Sequence, residues 1–379
     1  MAVPRLISAA SSHLGVLADA RHASPRVLRG LLGPAVRGLV LQRGKAGPQT
    51  SMTARNNACF DWTYTHDRPD MAKLFHAARK GQWDPDVHLD WSIAVDPLDP
   101  DVPLIDEAQS PLPELDAFRR LDVRAQRMQT RDLLAWMLSQ FLHGEQGALF
   151  VACQLTEAVS WIDGKLYGST QVVDEGRHVE VFDRYLSGKL EKRYAINDNL
   201  YVILDALMSD SRWDLKFLGM QILIEGLALG AFGTLRAGTR EPLLRELLRL
   251  VITDEARHVH FGVVALQGHI ASLGDAERRE REDWAFEMCL LLRNRFLAHE
   301  FYEEHWGHAM TRGAWNRFIL RSGYMQRFRV TMFKRIVPNL KRIGLLSDRM
   351  RDHYAAIGLL DWETGKAAPE ITVDELVAG

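Results

Sequence analysis

The chain of 379 residues is 47% apolar and 25% charged, enough apolar material for a sizeable buried core. Lys+Arg 47 against Asp+Glu 49 leave a formal charge of -2, which argues against nucleic acid as a partner. Cys59, Cys153 and Cys289 are too scattered for a disulfide framework or a zinc site, so a reducing, cytoplasmic compartment is expected, and no unbroken apolar run of membrane-spanning length is present.

In chain order, residues 1–57 come first, with eight Lys/Arg between Arg5 and Arg55 against one acid, Asp19. An organellar transit peptide and a solvated basic arm share that composition; the segment is read as a flexible or loosely helical arm, without the apolar stretch that secretion needs. Residues 58–115 are rich in Asp, Pro and Trp, and the phrase WDPDVHLDWSIAVDPLDPDVPL blocks long helices, which predicts an extended, irregular wrap. Residues 116–346 form the helical domain. Apolar residues recur at three- and four-residue spacing over 118–159, 166–188, 195–208, 213–236, 242–271 and 277–310, with further helix over 312–346. Turn signals stand at Asp163-Gly164, Gly188, Ser209–Ser211, Gly238–Pro242 and Gly274. A C-terminal tail, 347–379, is expected to fray beyond about Leu360. The reading is all-α.

Compared with itself at an offset of 80 residues, the chain repeats. Glu145, Ala148 and Leu149 recur as Glu225, Ala228 and Leu229, and the phrase DEGRHV (174–179) recurs as DEARHV (254–259). Glu145 and Glu175 are thirty residues apart about a midpoint at Ser160, and Glu225 and Glu255 are thirty apart about Arg240, each beside a turn signal. Two antiparallel helices joined there hold both glutamates at one height, about 22 Å from the turn at 1.5 Å rise per residue. The i, i+3 spacing puts Glu175 with His178, and Glu255 with His258, on one helix face. Two such hairpins face to face gather four carboxylates and two imidazoles. Buried together, four carboxylates need cations, and oxygen-rich sites with one imidazole per metal suit iron or manganese. The pattern is that of di-iron carboxylate bundles. Glu145, Glu175, His178, Glu225, Glu255 and His258 are therefore the candidate ligands, with Asp174 and Asp254 each accepting a hydrogen bond from the histidine of the opposite hairpin. A lone Glu-x-x-His is usually a solvated helix face. Two copies at matched offsets, with Glu145 and Glu225 inside apolar stretches, favour metal.

On these motifs, residues 125–275 resemble the ferritin-like di-iron carboxylate superfamily. The phrasing is most similar to its oxygen-activating branch, which includes ribonucleotide reductase small subunits, acyl-carrier desaturases and p-aminobenzoate N-oxygenases. The resemblance implies a ferritin-like four-helix bundle with additional C-terminal helices and an irregular N-terminal wrap. It also implies two metal ions (Fe/Fe or Mn/Fe) and a homodimer. The chain departs from each subfamily. Phe182 stands where a radical subunit has tyrosine, and Glu145 where its first ligand is commonly Asp. Met220 replaces the crosslinking tyrosine of the ligand-binding oxidases, and Val251 the extra histidine of the N-oxygenases.

The expected function is O2-dependent oxidation, hydroxylation or desaturation of a small, mostly apolar organic substrate. No flavin or nicotinamide fingerprint occurs, so an external electron donor is expected. The alternatives are a non-catalytic iron-binding, oxygen-sensing or scaffold protein, or a component of a larger oxygenase assembly. Leu149, Phe182 and Leu229, one turn beyond the ligands, are the pocket candidates, although plain core gives the same pattern. Ala148, Ala152, Ala228 and Gly262 would leave room at the centre or let helices approach closely. Trp161 and Tyr167 are either electron relays or structural aromatics. Residues 299–308, rich in His and Glu, are read as an exposed or packing helix, Cys153 and Cys289 as core thiols, and Arg177 and Arg257 as partners of helix carboxylates.

Overall fold

The computed structural model describes residues 24–378, which contain helices and turns and no strand. Its centre is a four-helix bundle of two antiparallel hairpins. The first joins α3 (Val123–Ala158) to α4 (Ile162–Tyr185); the second joins α6 (Trp213–Gly238) to α7 (Pro242–Ser272). In chain order these follow α1 (Pro25–Ala35) and α2 (Pro69–Lys80), with α5 (Asp198–Ser209) between the hairpins.

Each boundary has a local cause. Asp122 caps α3 by accepting from the Ala125 N–H, and the helix stops where Val159 turns to extended geometry. Pro242 occupies the first turn of α7, where its missing N–H costs nothing, and Glu241 accepts from the Leu243 and Leu244 N–H groups at 2.9 and 2.7 Å. The same Glu241 carboxylate accepts from the Tyr185 hydroxyl at 2.8 Å, tying the second turn to the far end of α4. The first turn is tight because Gly168 meets Thr156 where any Cβ would collide.

Within α6 the segment Leu218–Ile224 is π-helical, and the Glu225 N–H bonds to the Met220 carbonyl, five residues back. Helical periodicity over 213–236 gave no hint of it. By length and mean hydropathy (1.5) α6 has the composition of a membrane span, but 94% of its most apolar window is buried in the bundle, so it is a core helix, in line with the expectation that no segment spans a membrane.

The predicted helix over 277–310 is broken. α8 (Asp275–Asn294) ends in a 3-10 turn, Arg295–Leu297, and Ala298 takes a left-handed φ of 48° before α9 (His299–His305). α10 (Arg312–Arg321), α11 (Gly323–Met332), α12 (Ile336–Arg342) and α13 (Asp348–Ala356) follow. The tail does not fray beyond Leu360: α14 (Val373–Ala378) lies on α7 with Leu376 buried, and the Trp362 indole donates to the Val330 carbonyl at 2.8 Å.

Of the basic arm, residues 1–23 lie outside the described residues. The rest docks through its charges. α1 packs on α5; Arg37 pairs with buried Asp205 at 2.6 Å, and Lys45 with Asp198 and Glu300 at 2.9 and 2.8 Å. The Asp/Pro-rich segment contains one long helix, α2, which packs on α4 and α7, besides a single helical turn at Pro85–His88 and 3-10 turns at Glu107–Gln109 and Leu112–Glu114.

Candidate metal centre

The hairpins bring all six candidate ligands to one level. Glu145 comes from α3, Glu175 and His178 from α4, Glu225 from α6, and Glu255 and His258 from α7. None is more than 5% exposed. They form two overlapping groups, Glu145, Glu175, His178 and Glu255 on one side, and Glu175, Glu225 and His258 on the other. His178 Nδ1 stands 3.4 Å from Glu145, 3.4 Å from Glu175 and 3.1 Å from Glu255. His258 Nδ1 stands 3.2 Å from Glu175 and 3.5 Å from Glu255. Glu175 and Glu255 therefore lie between the imidazoles, with Glu145 and Glu225 at opposite flanks.

The donor atoms that face inward lack hydrogen bonds. Glu175 Oε2, Glu225 Oε2, both Glu255 oxygens, and Nδ1 of both histidines are buried without a hydrogen bond. Such groups are costly to bury unless something else satisfies them, and two divalent cations fit this donor set. Burial, then the charge of Glu255, pushes Glu145 and Glu225 well above the usual carboxylate range. Burial opposes charge on Glu175 too, but His258 and His178 outweigh it and hold this carboxyl below that range. Burial would likewise lower both imidazoles, yet Asp254 and the glutamates around His178, and Glu175 above all around His258, raise them well above their ordinary value. Without metal the cluster thus balances its charge by holding protons.

Asp174 and Asp254 are fully buried behind the histidines. His178 Nε2 is 3.2 Å from Asp254 and His258 Nε2 is 3.3 Å from Asp174, each pair joining opposite hairpins. Outward-facing Nε2 leaves Nδ1 to the cluster. Arg177 donates to Asp174 at 2.5 Å and to Asp254 at 3.1 Å, and Arg257 donates to Asp254.

Sequence reasoning missed four polar neighbours. The Trp83 indole donates to Asp254 at 2.7 Å, and Gln82 donates to Asp174 at 2.8 Å while accepting from Arg177. Both lie in the irregular segment, where no periodicity aims a side chain. Gln171, one turn before Glu175, donates to Glu175 and Glu225 at 3.1 and 2.9 Å, and accepts from Gln221 at 3.4 Å. Its i, i+4 spacing to Glu175 was a usable signal.

The pocket candidates are dispersed. Phe182 is fully buried and packs with Phe141 and Phe232 at ring distances of 6.1 and 5.8 Å, so aromatic rings fill the layer beyond the ligands. Leu149 is half-buried and lines none of the described cavities; Leu229 lines a small cleft beside Ile371 and Leu376 of the tail. Gly262 serves close packing, since a Cβ there would stand 2.6 Å from Gln221 Cβ. Tyr167 is buried against Phe261 at 4.3 Å, and Trp161 packs edge-on to Trp213 at 5.2 Å. Cys289 is a core thiol, but Cys153 is exposed on the outer face of α3. In the run 299–308, His299 bonds Asn316 and Arg312, and His305 lies 3.1 Å from Asp132, so α9 is a packing helix.

No family model matches the chain, and no curated protein does. Among solved structures it is similar to an R2-like ligand-binding oxidase with aerobically reconstituted Mn/Fe cofactor, at 18% identity and a TM-score of 0.47, covering 76% of this chain and 94% of that one. A variant of the R2-like ligand-binding oxidase with anaerobically reconstituted Mn/Fe cofactor aligns at 20% identity and a TM-score of 0.45, covering 75% and 96%.

Proposed function

We propose that the protein is a di-metal oxidoreductase that uses O2 to oxidise, hydroxylate or desaturate a small, mostly apolar organic molecule. The observation that carries this is the set of six buried, inward-facing donor atoms, on three carboxylates (Glu175, Glu225, Glu255) and two imidazoles, that make no hydrogen bond, with the buried Glu145 carboxylate beside them. Glu145 and His178 would hold one ion, Glu225 and His258 the other, with Glu175 and Glu255 between them. The pair is Fe/Fe or Mn/Fe, and when bound it supplies two-electron chemistry toward O2. The chain's own residues do the rest. Asp174 and Asp254 fix the imidazole tautomers so that Nδ1 faces the cluster. Gln171 orients Glu175 and Glu225 through its amide. Phe141, Phe182 and Phe232 keep water from the histidine side.

Turnover draws on an external electron donor, because the chain has no flavin or nicotinamide fingerprint. Cys59, Cys153 and Cys289 are free thiols, which supports a reducing, cytoplasmic location, and a homodimer is the assembly we propose. The test is metal per chain after anaerobic iron(II) loading, followed by O2 uptake with a reductant present. We expect two metal ions and rapid O2 consumption by the wild type, and neither by the Glu255→Ala, His258→Ala double variant. A folded wild-type chain that binds no transition metal overturns the reading. One that binds two ions but is inert to O2 is a metal-braced scaffold.

A further inference from the structure

The break between α8 and α9 carries Arg295 into the wall of an apolar cavity. The cavity is narrow, about 50 Å³ within a recess of about 660 Å³, and Leu133, Trp136, Phe141, Trp315 and Phe328 line it together with Arg295. Arg295 is 5% exposed. Among the described residues its guanidinium makes no hydrogen bond or ion pair, and it lies over the Phe296 ring, 5.5 Å from Cζ to the ring centre. Burial alone acts on it, lowering it to about 10, so it stays charged at neutral pH. Other buried cations here have acceptors: Lys45 pairs with Asp198 and Glu300, Arg281 with Asp214 and Arg177 with Asp174, while the fully buried Lys216 donates to Gln154 and the Leu207 carbonyl. The Gln140 amide, also in the wall, is occupied, donating to the Ala195 carbonyl and accepting from the Asn197 N–H. A lone guanidinium in an apolar wall is expensive unless an anion meets it. Its planar fork matches a carboxylate in two parallel hydrogen bonds.

We propose that this cavity binds a monocarboxylate with a slender apolar body, its carboxylate held by Arg295. Phe141 in the cavity wall is one turn from Glu145 on α3 and packs edge-on against Phe232 at 4.7 Å. If the centre is the oxidising di-metal site proposed above, on which this clause rests, the cavity is its substrate pocket, with the apolar end of the ligand toward Phe141.

The test is calorimetric titration of the full chain, metal-stripped and metal-loaded, with octanoate and benzoate against octanol and benzyl alcohol. We expect the metal-stripped wild type to bind at least one acid about tenfold or more tighter than its alcohol. Arg295→Met should lose that preference while melting no lower than wild type, because it removes an unpaired buried charge. Comparing the two acids identifies the body as alkyl or aryl. The proposal is overturned if wild type shows no preference for the acid, if Arg295→Met keeps it, or if Arg295→Met melts well below wild type, which would make Arg295 a structural cation. Binding confined to the metal-loaded form and equal in the variant also overturns it, since the acid would then sit on the metal. Acid binding by a chain that takes up no metal leaves the pocket standing and the di-metal reading fallen; the converse separates them the other way.

Discussion

Asp254 collects four hydrogen-bonding and charge partners, as many as His178, the ligand it supports. Its Oδ2 faces His178 Nε2, the Trp83 indole and Arg177, and its Oδ1 accepts from Arg257. Burial works against its charge, but His178, Arg257 and Arg177 together hold it below the usual carboxylate range. An anion so placed strengthens the basicity of His178 toward a metal and keeps the ring from turning. Asp254→Asn keeps the shape and removes the charge. We expect it to weaken metal binding about 10- to 100-fold, read by competition with a chromogenic chelator. Cys153→Ser, on the exposed face of the same bundle, should leave the affinity unchanged. Equal affinities in wild type and Asp254→Asn would show that the aspartate is only a partner for the arginines.

The two hairpins were legible because their information is periodic and repeated. Glu145 and Glu175 are equidistant from a turn whose helix ends, Ala158 and Ile162, bracket Ser160; Glu225 and Glu255 are equidistant from Arg240, between Gly238 and Pro242. Nothing periodic marks the π-helical turn before Glu225, the left-handed Ala298, or the aim of Gln82 and Trp83 from an irregular segment; these arise from tertiary packing overriding local preference. The seam between α6 and α7, within the second hairpin, has a narrow contact that tests this. At Gly262 on α7 a Cβ would meet Gln221 Cβ at 2.6 Å, whereas at Gly268, two turns on, it would meet nothing within 4 Å. Gly262→Ala should destabilise by about 1–3 kcal/mol through overpacking. Gly268→Ala should stabilise by about 0.5–1 kcal/mol, because alanine loses less backbone freedom in a helix. Chemical denaturation of both variants decides it; equal effects would mean that α6 and α7 separate freely.

At the scale of the molecule, the cluster is where four helices from two hairpins converge, so its charge state is a term in the stability of the whole bundle. Metal binds the folded chain and not the dispersed ligands of the unfolded one, so loading should raise the melting temperature. At free metal about 100-fold above Kd the gain is about 2.7 kcal/mol, which for a chain of this size is a rise of several degrees. The Glu255→Ala, His258→Ala variant should show no rise. The gain also has a pH sign. Burial and mutual charge raise Glu145 and Glu225, and the surrounding carboxylates raise His178 and His258 despite their burial, so the metal-free cluster binds protons near neutrality. Metal must displace those protons, so affinity falls as pH falls, and loading releases protons to the buffer. The difference in melting temperature between loaded and stripped protein should therefore be larger at about pH 8 than at about pH 6. Titrations in buffers of different ionisation heat should report net proton release. A difference independent of pH, with no protons released, would place the metal on groups already deprotonated and away from these histidines.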